Sequence, residues 1–153
     1  MLREVYESDI AVLFEHQLDT VSNWQVAFTH EDPTDESAFN EHIAKVLSDE
    51  TVVMKTIIHD NEVAGYMTKY VLDGAPQIGF VLGREFWGKG IATESLREFL
   101  SIISERPIYA RTAFDNESSM RVLQKLGFAR SSEGNYYSHA RGGDIVEILW
   151  TLN

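Results

Sequence analysis

The chain has 153 residues, 44% apolar and 24% charged, the composition of one globular domain spanning 1–153 and far from the disordered range. A formal charge of −11 argues against nonspecific nucleic-acid binding, which rests on Lys and Arg neutralising phosphates, and favours cationic partners. The absence of cysteine excludes disulfides, thiolate metal ligands and a thiol nucleophile, and five histidines without HxxxH or HxH spacing give no reason to expect a metal.

In chain order, an N-terminal strand leads into a short helix within Val5 to Gln17, with Ser8 and Asp9 as the capping signal before Ile10, Leu13 and Phe14. From Leu18 to Pro33 two aromatics, Trp24 and Phe28, sit among polar residues in the region between two expected helices. It ends in a His30-Glu31-Asp32-Pro33 turn before a second helix at about Glu36 to Leu47. Thr51 to Ile58 and Glu62 to Leu72 are rich in β-branched and aromatic residues and are joined by Asp60-Asn61, a hairpin signal. A further strand follows at Gln77 to Leu82.

Ala92, Leu96, Phe99 and Ile103 recur at helical spacing, so Gly90 to Ser104 reads as an amphipathic helix packed on a sheet. Pro107 to Phe114 is another strand, and Ser119, Val122, Leu123 and Leu126 mark a helix stopped by Gly127. A closing hairpin joins Asn135 to Ser138 with Ile145 to Leu152 through His139 to Asp144. The whole is α+β, a mixed and mostly antiparallel sheet flanked by helices.

The informative stretch is Ile78 to Thr93, where a strand passes through Gly83, Gly88 and Gly90 into a helix. Helix-start amides have no internal partner and carry the positive end of the dipole, so this is a seat for phosphate. Gly83-Arg84-Glu85-Phe86-Trp87-Gly88-Lys89 spells a P-loop, but Gly90 stands where a magnesium-binding hydroxyl is needed. Gly88 to Thr93 approximates a dinucleotide fingerprint, but the strand before it belongs to an antiparallel-looking half and opens no βαβ unit.

Trp87-Gly88-Lys89-Gly90-Ile91-Ala92 resembles the Gln/Arg-x-x-Gly-x-Gly/Ala signature of the GNAT N-acetyltransferase superfamily, with Trp87 at the Gln/Arg position. Phe86 to Glu94 is similar to the form found in the branch of Rim-type ribosomal-protein N-acetyltransferases. Asn116 to Phe128 resembles a second block of that branch, Asn-x-x-Ser-x-x-Val-Leu-x-Lys-x-Gly-Phe. The resemblance covers nearly the whole chain, with the region before about Thr51 alike only in pattern.

The resemblance implies the GNAT acyl-CoA N-acyltransferase fold, acetyl-CoA as cosubstrate without a metal, and a primary amine as acceptor, either a protein N-terminus or a small molecule. It implies that backbone groups of Phe80, Val81 and Leu82 pair with the pantetheine arm. Trp87 would open the cofactor-binding segment, the amides of Gly88, Lys89, Gly90, Ile91, Ala92 and Thr93 would cradle the pyrophosphate, and Asn116 would bond the pantetheine or the region near the thioester. Ser119 matches the serine that protonates the leaving thiolate; the bland alternative is a helix-start residue that only caps or packs.

Two departures from the family pattern stand out: Leu123 replaces a tyrosine donor and Gln77 a glutamate base. They leave open a noncatalytic acyl-CoA-binding sensor or interaction module. Tyr109, Tyr136 and Tyr137 read as strand residues, Glu94 as a partner of its helix dipole, and Trp24 with Phe28 as core staples or an aromatic wall of the acceptor pocket. With no apolar run near the roughly 18 residues of a membrane span and no leader-like start at Met1 to Asp9, a cytoplasmic monomer or homodimer is expected, with no membrane or nucleic-acid partner.

Overall fold

A computed structural model describes residues 1–153. A minimal strand β1 (Leu2–Arg3) is followed by three helices, α1 (Glu7–Gln17), α2 (Thr20–Val26) and α3 (Glu36–Ser48). Then come β2 (Val53–His59), β3 (Glu62–Leu72), β4 (Ala75–Leu82), a 3-10 turn at Arg84–Phe86, α4 (Ile91–Ile102), β5 (Ile108–Ala113), α5 (Glu117–Lys125), β6 (Ala129–Ser138) and β7 (Gly143–Leu152). No helix is long and apolar enough to cross a membrane.

Seven strands form one sheet in the order β1-β2-β3-β4-β5-β7-β6, and every neighbouring pair is antiparallel except β4 with β5. Asp60 and Asn61 take φ of 50° and 64° between β2 and β3, the left-handed pair that matches a hairpin turn to strand twist. That turn is the one expected from the sequence.

Side chains alternate across the sheet, and each face carries its own helices. Leu96 and Phe99 of α4 and Leu123 of α5 pack on Met67, Ile78, Ile108, Ile148 and Trp150. Phe99 is fully buried, so its truncation to Ala would cost about 3–5 kcal/mol. On the opposite face Leu13 and Phe14 of α1 and Phe39 and Ile43 of α3 close over Met54, with the Phe14 and Phe39 rings 5.4 Å apart.

Three sequence expectations need correction. The cap of α1 is Tyr6; Asp9 sits at the third helical position and its carboxylate turns back to accept the Tyr6 amide at 2.8 Å. Leu18 to Pro33 contains the helix α2, started by Asp19, whose carboxylate accepts from the amides of Val21 and Ser22. Seven residues, of which only Ser22 is buried, carry no apolar period from which a helix could be read. Finally, β6 begins at Ala129, six residues before the expected Asn135, because Ala129 to Gly134 is a polar edge segment held by pairing with β7.

Candidate active site

The parallel pair β4 and β5 is in register only at Gln77 with Tyr109 and Ile78 with Ala110. Beyond these the strands part, so Gly79 to Leu82 face a gap where a neighbouring strand would lie. Backbone amides and carbonyls need partners, and a strand edge opened in this way is a template for an extended ligand.

Below the gap α4 begins. Its N-cap Gly90 has φ 77° and supplies no side-chain cap, and the first amide bonded within the chain is that of Glu94, to the Gly90 carbonyl at 3.1 Å. The amides of Ile91, Ala92 and Thr93 are thereby left for an anion. Gly88, at φ 74°, also lies in the left-handed region, and a Cβ at either glycine would point into open space. Glycine is required there by backbone conformation, not by protein crowding.

A groove of about 350 Å³ runs along these features, lined by Phe80, Val81, Leu82, Trp87, Gly88, Gly90, Ile91, Ala92, Thr93, Asn116 and Ser119. Ten of the eleven cofactor-binding candidates from the sequence thus come together, joined by Ser119. Lys89 is not among the lining residues: its side chain is exposed, with the ammonium 5.9 Å from the centre of the Phe86 ring, which leaves only its backbone amide on the turn to the cradle. Trp87 donates its indole N–H to the Leu82 carbonyl at 3.1 Å, bracing the end of β4 against the turn.

Sequence reasoning missed Arg121 and Lys125, exposed residues that also line the groove. They follow Ser118 and each other at helical spacing within the second motif block, which places them on one face of the helix. Gln25 of α2 was missed too, since nothing in its neighbourhood marks it. Its amide donates to Asn116 Oδ1 at 3.1 Å and to Ser118 Oγ at 2.7 Å.

Asn116 is the buried N-cap of α5; its Oδ1 also accepts from the Ser119 amide at 3.4 Å and the Ser118 hydroxyl at 3.3 Å. The oxygen is fully engaged, which leaves the Nδ2 donors for a ligand. Ser119 uses its backbone in that cap, and its hydroxyl forms no hydrogen bond within the protein.

On the sheet face under α1 and α3 a second cavity, about 560 Å³, meets the groove. Val26, Phe80, Val81, Asn116 and Ser119 line both spaces. Phe28, Ile43, Val46, Val52 and Met54 make one part of its wall apolar. Tyr66 and Tyr70 from β3, Arg111 from β5 and Glu147 from β7 supply polar groups. Burial raises the Tyr66 phenol above its ordinary pKa. It raises the Tyr70 phenol too, where the Arg111 charge opposes it and Glu147 adds to it.

Arg141 ties the β6–β7 loop to α2 and to Asp115 after β5. It makes two bonds to the Asp115 carboxylate at 2.9 and 3.0 Å, donates to the Trp24 carbonyl at 2.6 Å and stacks 4.7 Å over the Trp24 ring. Trp24 is 57% exposed and lines neither space, so it is neither a core staple nor part of a wall there, whereas Phe28 does wall the larger cavity. Tyr109, Tyr136 and Tyr137 line neither space. Gln77 is buried with its Oε1 unpartnered.

A sheet parted at one parallel pair, with an anion seat at the helix start beneath the gap, defines a fold of the acyl-coenzyme-dependent acetyltransferase class. The chain belongs to the GNAT acetyltransferase family: residues 1–129 match the model of the acetyltransferase (GNAT) domain. Acetyl-CoA is the acetyl donor in this family.

A curated relative, the uncharacterized N-acetyltransferase p20 of Bacillus licheniformis, is 30% identical over 84 residues, 52% of this chain and 47% of that protein. The chain thus spans about half the length of the curated relative it matches. Among solved structures, the Brucella melitensis ribosomal-protein-alanine N-acetyltransferase superposes with a TM-score of 0.83 at 17% identity, over 99% of this chain and 98% of that one. Mycobacterium smegmatis RimJ in complex with CoA-disulfide superposes at 0.82 and 21%, over 99% and 80%. The microcin C7 self-immunity acetyltransferase MccE, bound to acetyl-CoA and AMP, gives 0.83 and 16%, over 99% and 90%. These likenesses establish the α+β GNAT fold and its Rim-type neighbours.

Proposed function

We propose that residues 1–153 form one catalytic domain that transfers the acetyl group of acetyl-CoA to a primary amine by direct attack. The acceptor is a protein N-terminus or a small molecule, and the reaction takes place in the cytoplasm. The observation that carries this reading is the junction of the two cavities at Asn116 and Ser119. One space suits the donor, the other an acceptor, and both open on the same hydroxyl.

The open edge of Phe80, Val81 and Leu82 pairs with the pantetheine arm, and the amides from Gly88 to Thr93 hold the pyrophosphate. The Nδ2 group of Asn116 bonds the pantetheine near the thioester. The acceptor enters from the larger cavity, so its nitrogen and the thioester carbonyl are held together before reaction. Ser119, its hydroxyl uncommitted to the protein, donates a proton to the departing thiolate.

The test is Ser119→Ala, assayed against a panel of amines. Loss of the donor is expected to lower kcat about 100-fold while the acetyl-CoA affinity and the melting temperature are retained. Wild-type protein that binds acetyl-CoA yet transfers acetyl to no amine would count for a noncatalytic module.

A further inference from the structure

An aliphatic amine is an ammonium ion near neutral pH, and an ammonium has no lone pair with which to attack a thioester. The site therefore needs a group that takes the first proton, and Ser119, assigned to the thiolate, does not supply it. Gln77, on the same sheet face, carries an amide, which is no base.

The titratable groups that line the larger cavity are His42 from α3, Tyr66 and Tyr70 from β3, Arg111 from β5 and Glu147 from β7. The two phenols are pushed toward their neutral form, and a guanidinium such as that of Arg111 has no acceptor to offer a proton. His42 is exposed on α3. Glu147 is the one carboxylate in the lining, and its side chain is only 14% exposed.

Glu147 is also held in place. It lies opposite Ala113 in the β5–β7 pairing, beside the end of β5 that leads to Asn116 and Ser119. Arg111 Nη1 donates to its Oε1 at 3.3 Å, a long contact that fixes the carboxylate without saturating it. No other protein donor bonds either oxygen. Burial pushes its pKa up, and the hydrogen bond and charge of Arg111 only partly offset this. The carboxylate is thereby made more basic than an ordinary one, which suits it to accept a proton.

We propose that Glu147 binds the acceptor ammonium and takes its proton, and that the acceptor is a primary amine with one cationic centre and an apolar remainder. The inference rests on the acetyl-transfer reading above. The ammonium passes one proton to a Glu147 oxygen, and the freed lone pair attacks the thioester carbonyl carbon. The C–S bond breaks, the second nitrogen proton reaches the thiolate by way of Ser119, and Glu147 returns its proton to water. Phe28, Ile43, Val46, Val52 and Met54 take the apolar remainder. With a single carboxylate in the lining, a second ammonium of the acceptor would find no partner.

The experiment is the pH profile of kcat/KM for the full chain at saturating acetyl-CoA, with n-butylamine, 2-phenylethylamine, spermidine and a short peptide with a free α-amine. For wild type an acid limb above the ordinary carboxylate range is expected, with 2-phenylethylamine preferred over spermidine. Glu147→Gln lowers kcat/KM near neutrality about 100-fold, leaves acetyl-CoA affinity unchanged, and abolishes the limb so that the rate follows the free-amine fraction alone. Glu147→Asp restores part of the rate with a shifted limb, and carries the test if the Gln variant does not fold. Variants that keep the wild-type profile overturn the role of Glu147 while the transfer reading stands. A preference for spermidine overturns the acceptor class, and no transfer by wild type to any of the four overturns both readings.

Discussion

Replacing Asp9 by Asn tests how α1 is fastened to the sheet. The Asp9 carboxylate is buried under α1 and accepts from Arg3 at 2.7 and 2.9 Å, from the Tyr6 amide at 2.8 Å and from the Thr56 hydroxyl at 2.8 Å. Burial by itself would raise its pKa, but these bonds and the Arg3 charge outweigh it, and the net shift is downward. Asn keeps the shape, loses the charge and presents an N–H₂ to at least one donor. Because Arg3 is 22% exposed and can turn to water, the loss should fall at the low end for a broken buried pair, about 3 kcal/mol.

For a chain of this length that corresponds to a drop in melting temperature of roughly 6–12 °C at pH 7. A carboxylate whose folded pKa is depressed contributes above its unfolded pKa and loses the contribution as pH falls through the folded value. The gap between wild type and Asp9→Asn should therefore narrow toward acid pH. Calorimetric scans from pH 7 down to pH 3 read both effects. A variant within 0.5 °C of wild type at pH 7, or a gap that widens in acid, would refute the reasoning.

Arg121→Ala with Lys125→Ala should weaken acetyl-CoA binding about 3- to 10-fold at low salt, with the difference shrinking at high salt as screening removes exposed charge effects; isothermal titration at two ionic strengths reads it. Ser138→Ala should cost about 1–2 kcal/mol in urea denaturation. Its buried hydroxyl donates to the Ala27 carbonyl at 2.6 Å and accepts from the Arg141 amide at 3.1 Å, and both partners would be left unpaired.

Where the sequence carried a strong local signal, the structure agrees with it. The Asp60-Asn61 turn, the period of Leu96, Phe99 and Ile103, and the glycines before α4 each have one cheap conformation, which their residue types announce. The groove was legible for the same reason, since the turn and helix start that line it form a local strand-turn-helix unit. The larger cavity was not. Tyr70, Arg111 and Glu147 lie on three strands and meet only through pairing across the sheet, a contact that no spacing along the chain encodes. Likewise the stacking of Arg141 on Trp24 joins residues 117 apart in the chain, and α2 is short enough that its Asp19 cap and its tie from Arg84 at 3.0 Å matter more than its periodicity.

Titration of the purified protein with acetyl-CoA, wild type against Gly90→Asp, tests the central claim most directly. The added carboxylate faces the groove at the bare N-cap of α4, where it would repel a pyrophosphate and occupy its amides. Micromolar binding by wild type and at least a tenfold loss in a variant that still melts cooperatively is the expected result. Equal affinity in the two proteins, or no binding by wild type, would contradict the placement of the donor at the start of α4.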